Sequence, residues 1–169
     1  MTNIWVIADH HFGWVNGITK FKRLDGTPIR DFKDVQEMNE CMVEQHNKVV
    51  KPQDHVYFLG DFSTNQYGLL YAKRMNGHKR LVRGNHDIFK TKKYIEVGFE
   101  EIYGVRIFPE HKIILSHYPI HPNCLKNEWK CIHGHTHINN VLDETGQPDK
   151  RYINVCVEQV NYTPVLLLR

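Results

Sequence analysis

The chain has 169 residues, with 22 Lys and Arg against 19 Asp and Glu, a formal net charge of +3 with every histidine neutral. With 41% hydrophobic and 24% charged residues it is neither a disordered nor a collagen-like chain, and a polyanion partner is not implied by so small a charge. The length fits one domain, taken as residues 1–169, which at this size buries roughly two thirds of the surface of its unfolded chain without disulfide staples.

The longest apolar runs, Ile4 to Ala8 and Val165 to Leu168, fall far short of the roughly 20 residues that span a bilayer. The amino-terminal stretch lacks the basic region, apolar core and cleavage site of a signal peptide. A cytoplasmic protein with no membrane partner is therefore expected, and Cys41, Cys124, Cys131 and Cys156, which show no CxxC spacing, are expected to be reduced. One feature of the composition is out of the ordinary: twelve histidines, six of them between His111 and His137.

In chain order, β-branched and aromatic runs predict strands at Asn3 to Ala8, His55 to Leu59, Arg80 to Val82, Val105 to Phe108, Lys112 to Ser116, Tyr152 to Val157 and Pro164 to Leu168, and Cys131-Ile132 ends a further one. Several are apolar without alternation, which suits strands covered on both faces in a layered α/β fold. Between the first two, Val35, Met38, Met42 and Val49 make a helical stripe from Asp34 to Val50, opened by an Asp34/Glu37 capping box and closed at Lys51-Pro52. A second helix is predicted from about Thr64 to Met75, stopped at Asn76-Gly77. The basic clusters Lys20 to Arg23, His78 to Arg80 and Lys90 to Lys93 are read as solvated faces.

Chemistry-bearing residues fall at the carboxyl ends of five of these strands: Asp9-His10-His11, Gly60-Asp61, Gly84-Asn85-His86-Asp87, His117, and His133-Gly134-His135-Thr136-His137. In layered α/β folds such loops share one edge, so the groups can converge. A glycine directly before a candidate ligand permits a tight turn and close approach of the backbone. The set offers oxygen and imidazole without thiolate, which suits Mn, Fe, Zn or Ni. Seven candidate ligands are too many for one tetrahedral ion and fit two that share a carboxylate, roughly 3.5 to 4 Å apart. Only one of the adjacent His10 and His11 can face the site, since neighbouring extended residues point to opposite sides.

The series DxH, GD, GNHD, H and GHxH, running from Asp9 to His137, resembles the calcineurin-like metallophosphoesterase superfamily, and in particular its small prokaryotic and phage phosphoesterases. The helix segment Val35-Gln36-Glu37-Met38-Asn39 and the ending Asn154-Val155 with Asn161-Tyr162-Thr163-Pro164-Val165 are similar as well. The resemblance implies a four-layer α/β/β/α sandwich of two mixed sheets flanked by helices. It implies two divalent ions, foremost Mn²⁺ with Fe, Zn or Ni as alternatives, one held by Asp9, His11 and His137, the other by Asn85, His117 and His135, with Asp61 bridging. His86 falls on the family's catalytic histidine. Asp87 is expected to orient it or to be an exposed turn carboxylate.

Two divalent ions, Asp9, Asp61 and a shared hydroxide sum to about +1, which favours an anionic phosphoester attacked in line. Asn85 and His86 are expected at the substrate. The Asp-Arg-Gly phosphate clamp of the protein phosphatases is absent, since Asp61 is followed by Phe62-Ser63-Thr64-Asn65. Arg83 and Arg30 are the candidates to replace it, unless they are surface charges. The loop Phe12 to Lys22 is expected to line the pocket through Trp14 and Asn16. Together with the missing clamp, the resemblance to small members of the superfamily, often diesterases, implies a phosphodiesterase acting on a nucleotide or other phosphodiester, with nucleic acid only as a substrate; the alternatives are a phosphomonoesterase and a non-catalytic metal- or nucleic-acid-binding module.

Overall fold

The computed structural model describes residues 2–126 and 128–169. The amino-terminal strand β1 (Ile4–Ile7) pairs in parallel with β2 (His55–Phe58), β2 with β3 (His78–Val82) and β3 with β4 (Phe99–Tyr103). The last strand, β9 (Val165–Leu168), closes this sheet antiparallel to β1. The second sheet runs β5 (Val105–Phe108), β6 (Ile113–Ser116), β7 (Lys130–His133) and β8 (Tyr152–Asn154), parallel except for β5. The fold is thus α/β with two packed mixed sheets and flanking helices.

The unbroken apolar run of β1 and the apolar ends of β2 and β3 have the expected cause. Val6, Ala8, Tyr57, Leu59 and Val82 face the second sheet, where they meet Phe108, Leu115 and Ile132. Ile7, Val56, Phe58 and Leu81 face the helices and pack on Met38, Met42 and Phe62. A parallel sheet covered on both faces leaves no position for a polar alternation. The second sheet departs from the expectation that both faces are buried: its outer face carries a small cluster of Ile114, Leu125 and Cys131 with Ile120, Trp129 and Tyr152 packed against it, and Ile107 and Ile153 remain exposed.

Helix α2 (Val35–Val49) matches the capping box, with the Asp34 side chain accepting from the Glu37 amide. The helix predicted over Thr64 to Met75 is divided into α3 (Gln66–Leu69) and a 3-10 turn, Leu70–Arg74. Gly68, a poor helix former, is pressed there against the Phe12 carbonyl, where an added Cβ would lie 2.3 Å from the oxygen. Two short helices, α1 (Val15–Thr19) and α4 (Thr91–Glu96), and strand β4 carry no periodic signal strong enough to be predicted. In β4, Glu100 and Glu101 break the apolar run; they pair with His78 and Arg80 on an edge strand, where charge discourages further pairing. All four cysteines are free, as expected. No helix among the described residues is long and apolar enough to cross a membrane.

Two histidines are built into the core. His10 packs among Phe12, Phe58 and Phe62, and His46, on α2, donates from Nε2 to the Asn76 carbonyl, 2.9 Å away, and stacks on Phe58. Its Nδ1 is buried with no partner among the described residues, which leaves the ring neutral. Burial lowers both imidazoles, His46 to about 4. As pH falls below 6.5 the unfolded chain takes up a proton that native His46 refuses, so stability declines with acidification until about 4. The loss attributable to His46 is about 3 kcal/mol. Urea unfolding of metal-free protein at pH 7.5, 6 and 5 is expected to show this slope, and His46→Gln, which can still donate to Asn76, is expected to flatten it. An unchanged slope in the variant would assign the acid sensitivity elsewhere.

Candidate metal centre

The parallel direction of β1, β2 and β3 brings their following loops to one edge, and β6 and β7 bring theirs to the same place from the second sheet. Backbone bonds lock the loops together. The Asp9 amide donates to the Gly60 carbonyl, the His11 amide to the Asp61 carbonyl and the Gly134 amide to the His117 carbonyl. The end of β1 also pairs through Ala8 with Cys156, which ties the chain beyond β8 into the first sheet.

Three of the five loops, those after β1, β2 and β7, turn sharply at the candidate ligand itself. Asp9, His11, Asp61, His135 and His137 have φ between 48° and 68°, a region that costs a residue with a Cβ about 1 kcal/mol or more and that recurs at functional sites. The glycines beside them are required by space. A Cβ on Gly84 would sit 2.2 Å from Asp61 Oδ1, and one on Gly134 2.2 Å from Asp9 Oδ2. These glycines allow the neighbouring loops to close on the two carboxylates.

Two clusters result, Asp9 with His11 and His137, and Asp61 with His117 and His135, the ligand atoms within each lying within 4.8 Å of one another. Asp61 belongs to both by distance: its Oδ2 is 3.5 Å from His11 Nε2 and 3.4 Å from His117 Nε2. His11 Nε2 and His137 Nε2 lie 3.5 and 3.9 Å from Asp9 Oδ1. Asn85 Oδ1 sits 3.1 Å from His117 Nε2 and accepts from the Tyr118 hydroxyl. Asp9 Oδ1 and both ring nitrogens of His11 are buried with no hydrogen-bond partner among the described residues. Buried polar atoms are rarely left so, and spacings near 3.5 Å are those of ligand atoms gathered around a shared ion. The donor set therefore fits divalent metal. Of the adjacent pair, His11 faces the clusters and His10 the core.

The surroundings set the charge of these groups. Burial alone would raise the Asp61 carboxyl, but the imidazoles of His117 and His11 outweigh it and hold it below its ordinary value. Burial lowers His11 despite the two nearby carboxylates, and lowers the half-open His135.

The other expected site residues fall into different roles. His86 is exposed beside the clusters, its ring edge-on to His11 at 5.2 Å and its amide donating to Asp61 Oδ1. Asp87 is neither exposed nor turned to that ring. It is buried, and its carboxylate accepts from the amides of Asp61, Phe62 and Gly84, which joins the GD and GNHD loops. Burial raises its carboxyl even so. Arg83 points away from the clusters, donates to the Phe89 carbonyl and lies over Tyr94. Arg30 is no surface charge; it is fully buried. No guanidinium from either lines the cavity at the clusters.

That cavity, about 420 Å³, is walled by His11, His86, His135 and His137 and by Trp14 and Phe21. Trp14 stacks on His137 and packs at a tilt against His11 and Phe21, and Asn16 lines the cavity as expected. His133 closes β7 with Nδ1 on the Gly134 carbonyl. Asn154, at the end of β8, donates to the carbonyls of His137 and Asn139 and to Thr136, and so holds the GHTH loop.

One residue of the site has no signal in the sequence. The side chain of Glu158 is fully buried and accepts from His137 Nδ1 at 3.0 Å and from Arg30 Nε at 2.8 Å. Burial would raise its carboxyl, but Arg30 and His137 bring it down to about 2. It stands in no motif, and only the folded chain brings it to residues 30 and 137.

The model of the calcineurin-like phosphoesterase family matches residues 2–161. An uncharacterised protein of Methanocaldococcus jannaschii is 35% identical over 173 aligned residues, covering 99% of this chain and 88% of the relative. A solved structure of a protein of unknown function from Aquifex aeolicus superposes with a TM-score of 0.68 at 28% identity, covering 98% of this chain and 96% of that one. The structure of the Pseudomonas putida nuclease MPE shares the fold, with a TM-score of 0.50 at 18% identity over 79% of this chain and 61% of the other. A match that runs from the strand before Asp9 to past Glu158 takes in every residue of the two clusters, and the chain belongs to the calcineurin-like phosphoesterase family.

Proposed function

We propose that residues 1–169 act as one dinuclear metal-dependent phosphodiesterase domain. The observation that carries this reading is the position of Asp61 Oδ2, 3.5 and 3.4 Å from an imidazole nitrogen of each cluster, which is where a carboxylate shared by two ions must stand. Asp9, His11 and His137 would hold one ion and Asn85, His117 and His135 the other, Mn²⁺ being the first choice for this oxygen and imidazole set. When bound, such a pair lowers the pKa of a water toward neutrality and neutralises phosphate oxygens.

The chain's own groups do the rest. Asn85, a neutral ligand, leaves its half of the site more positive than a carboxylate would, and stands exposed at the cavity with His86, where both can meet the phosphate. His86 hands a proton to the departing ester oxygen. Its backbone is anchored there by the hydrogen bond that the His86 amide donates to Asp61 Oδ1. The apolar wall of Trp14 and Phe21 suits the second ester group of a diester and excludes water from one side. Neither Arg30 nor Arg83 lines the cavity to grip the doubly charged end of a monoester.

The test is chelation followed by return of Mn²⁺, with a nitrophenyl phosphomonoester and the bis-nitrophenyl diester compared. Hydrolysis is expected only after metal is returned, with the diester the better substrate. A faster monoester would make the protein a phosphomonoesterase, and no hydrolysis of either would turn the reading to a non-catalytic metal-binding protein.

A further inference from the structure

Arg30 is the largest of the fully buried side chains, and its partner Glu158, whose side chain is fully buried too, lies 128 positions away in the sequence. Taking two charges out of water costs several kcal/mol per ion before their attraction is counted, so a buried pair is weak evidence for stability. What the pair touches is more informative. Arg30 Nη1 donates to the His10 carbonyl at 2.6 Å and Nη2 to the Asp9 carbonyl. Glu158 Oε1 accepts from His137 Nδ1, which places the imidazole proton on Nδ1 and leaves the Nε2 lone pair directed at the Asp9 side of the site. Glu158 Oε2 has no partner among the described residues.

The other half of the site is supported differently. His117 Nδ1 donates to the Leu59 carbonyl at 2.8 Å, a neutral acceptor. A carboxylate acceptor makes the imidazole a stronger ligand than a carbonyl does, and such outer partners are worth about 10- to 100-fold in metal affinity.

We infer that Arg30 and Glu158 are positioning residues for one ion only. Arg30 clamps the backbone that carries Asp9, Glu158 fixes the tautomer and angle of His137, and the ion held by Asp9, His11 and His137 is thereby bound first and more tightly than its neighbour. The inference rests on the two-ion reading above and adds an order of filling to it.

Equilibrium dialysis against rising Mn²⁺, with metal analysis and electron paramagnetic resonance, tests it without any assay of activity. The wild-type protein is expected to fill in two separate steps, with a mononuclear signal preceding a coupled one. Glu158→Gln is expected to lose about 10- to 100-fold from the tighter step and to change the weaker step by no more than about twofold. Should the unpaired Arg30 keep that variant from folding, Arg30→Met combined with Glu158→Gln removes both charges and is expected to show the same selective loss. A variant in which both steps weaken equally, or neither moves, overturns the inference and leaves two-ion binding standing. Wild-type protein that takes up fewer than two ions overturns both.

Discussion

Asp61→Asn is expected to lower turnover of a diester by at least about 10³-fold, about 4 kcal/mol of transition-state stabilisation, and to do so by emptying both halves of the site. The side chain is buried, and one of its oxygens faces an imidazole of each cluster. On the two-ion reading, replacing the carboxylate would remove a full negative charge from between two dications, a position that no neutral amide would hold equally. The apoprotein should tolerate the change. The amide oxygen can still accept from the His86 amide, as Oδ1 does now, and the amide has the shape of the carboxylate; what the apoprotein loses is the attraction of that carboxylate to the His117 and His11 imidazoles. Melting in chelator is therefore expected to stay within a few degrees of wild type. Wild-type protein should gain about 2.7 kcal/mol per site when Mn²⁺ stands at 100 times the dissociation constant, and the variant should gain little at the same metal concentration. A variant that keeps its metal-induced stabilisation would show that Asp61 is not shared.

His86→Gln is expected to reduce turnover by about 10²-fold or more while leaving metal content unchanged. The imidazole stands beside the clusters without joining either, exposed and edge-on to His11. If it protonates the departing oxygen, the defect must grow with the basicity of that oxygen. A nitrophenyl leaving group, stable as an anion, should lose little; an alkyl leaving group should lose the full factor. Comparing the variant and wild type across diesters of rising leaving-group pKa measures this directly. Equal rates on the most basic leaving group would remove the general-acid role. Asp87 is predicted to have no part in that slope, because its carboxylate is occupied by the amides of Asp61, Phe62 and Gly84.

Much of the site could be read from the chain because its chemistry is local. A carboxylate, amide or imidazole directly after a strand is a short-range pattern, and a parallel sheet places all such loops at one edge whatever the details. The strand runs were legible for a similar reason: burial on both faces demands apolar residues at every position, as in Ile4 to Ala8. The breaks in legibility also have physical causes. The Thr64 to Met75 helix divides after Leu69, next to Gly68, where the Phe12 carbonyl lies against the chain, a contact made by a residue 56 positions away. Strand β4 went unseen because its charges answer to His78 and Arg80 across the sheet edge.

The sequence by itself determined the kinds of donor present, their order along the chain and the edge on which they meet, since each depends on a few adjacent residues and on strand direction. Only the tertiary structure decided that His11 and not His10 faces the clusters, that Asp87 turns inward to join two loops, and that Arg30 leaves the surface to meet Glu158. Those outcomes are set by left-handed turns at Asp9, His11 and Asp61 and by contacts between residues far apart in the chain. A buried charge can sit only where a distant partner arrives, and no local pattern encodes that arrival.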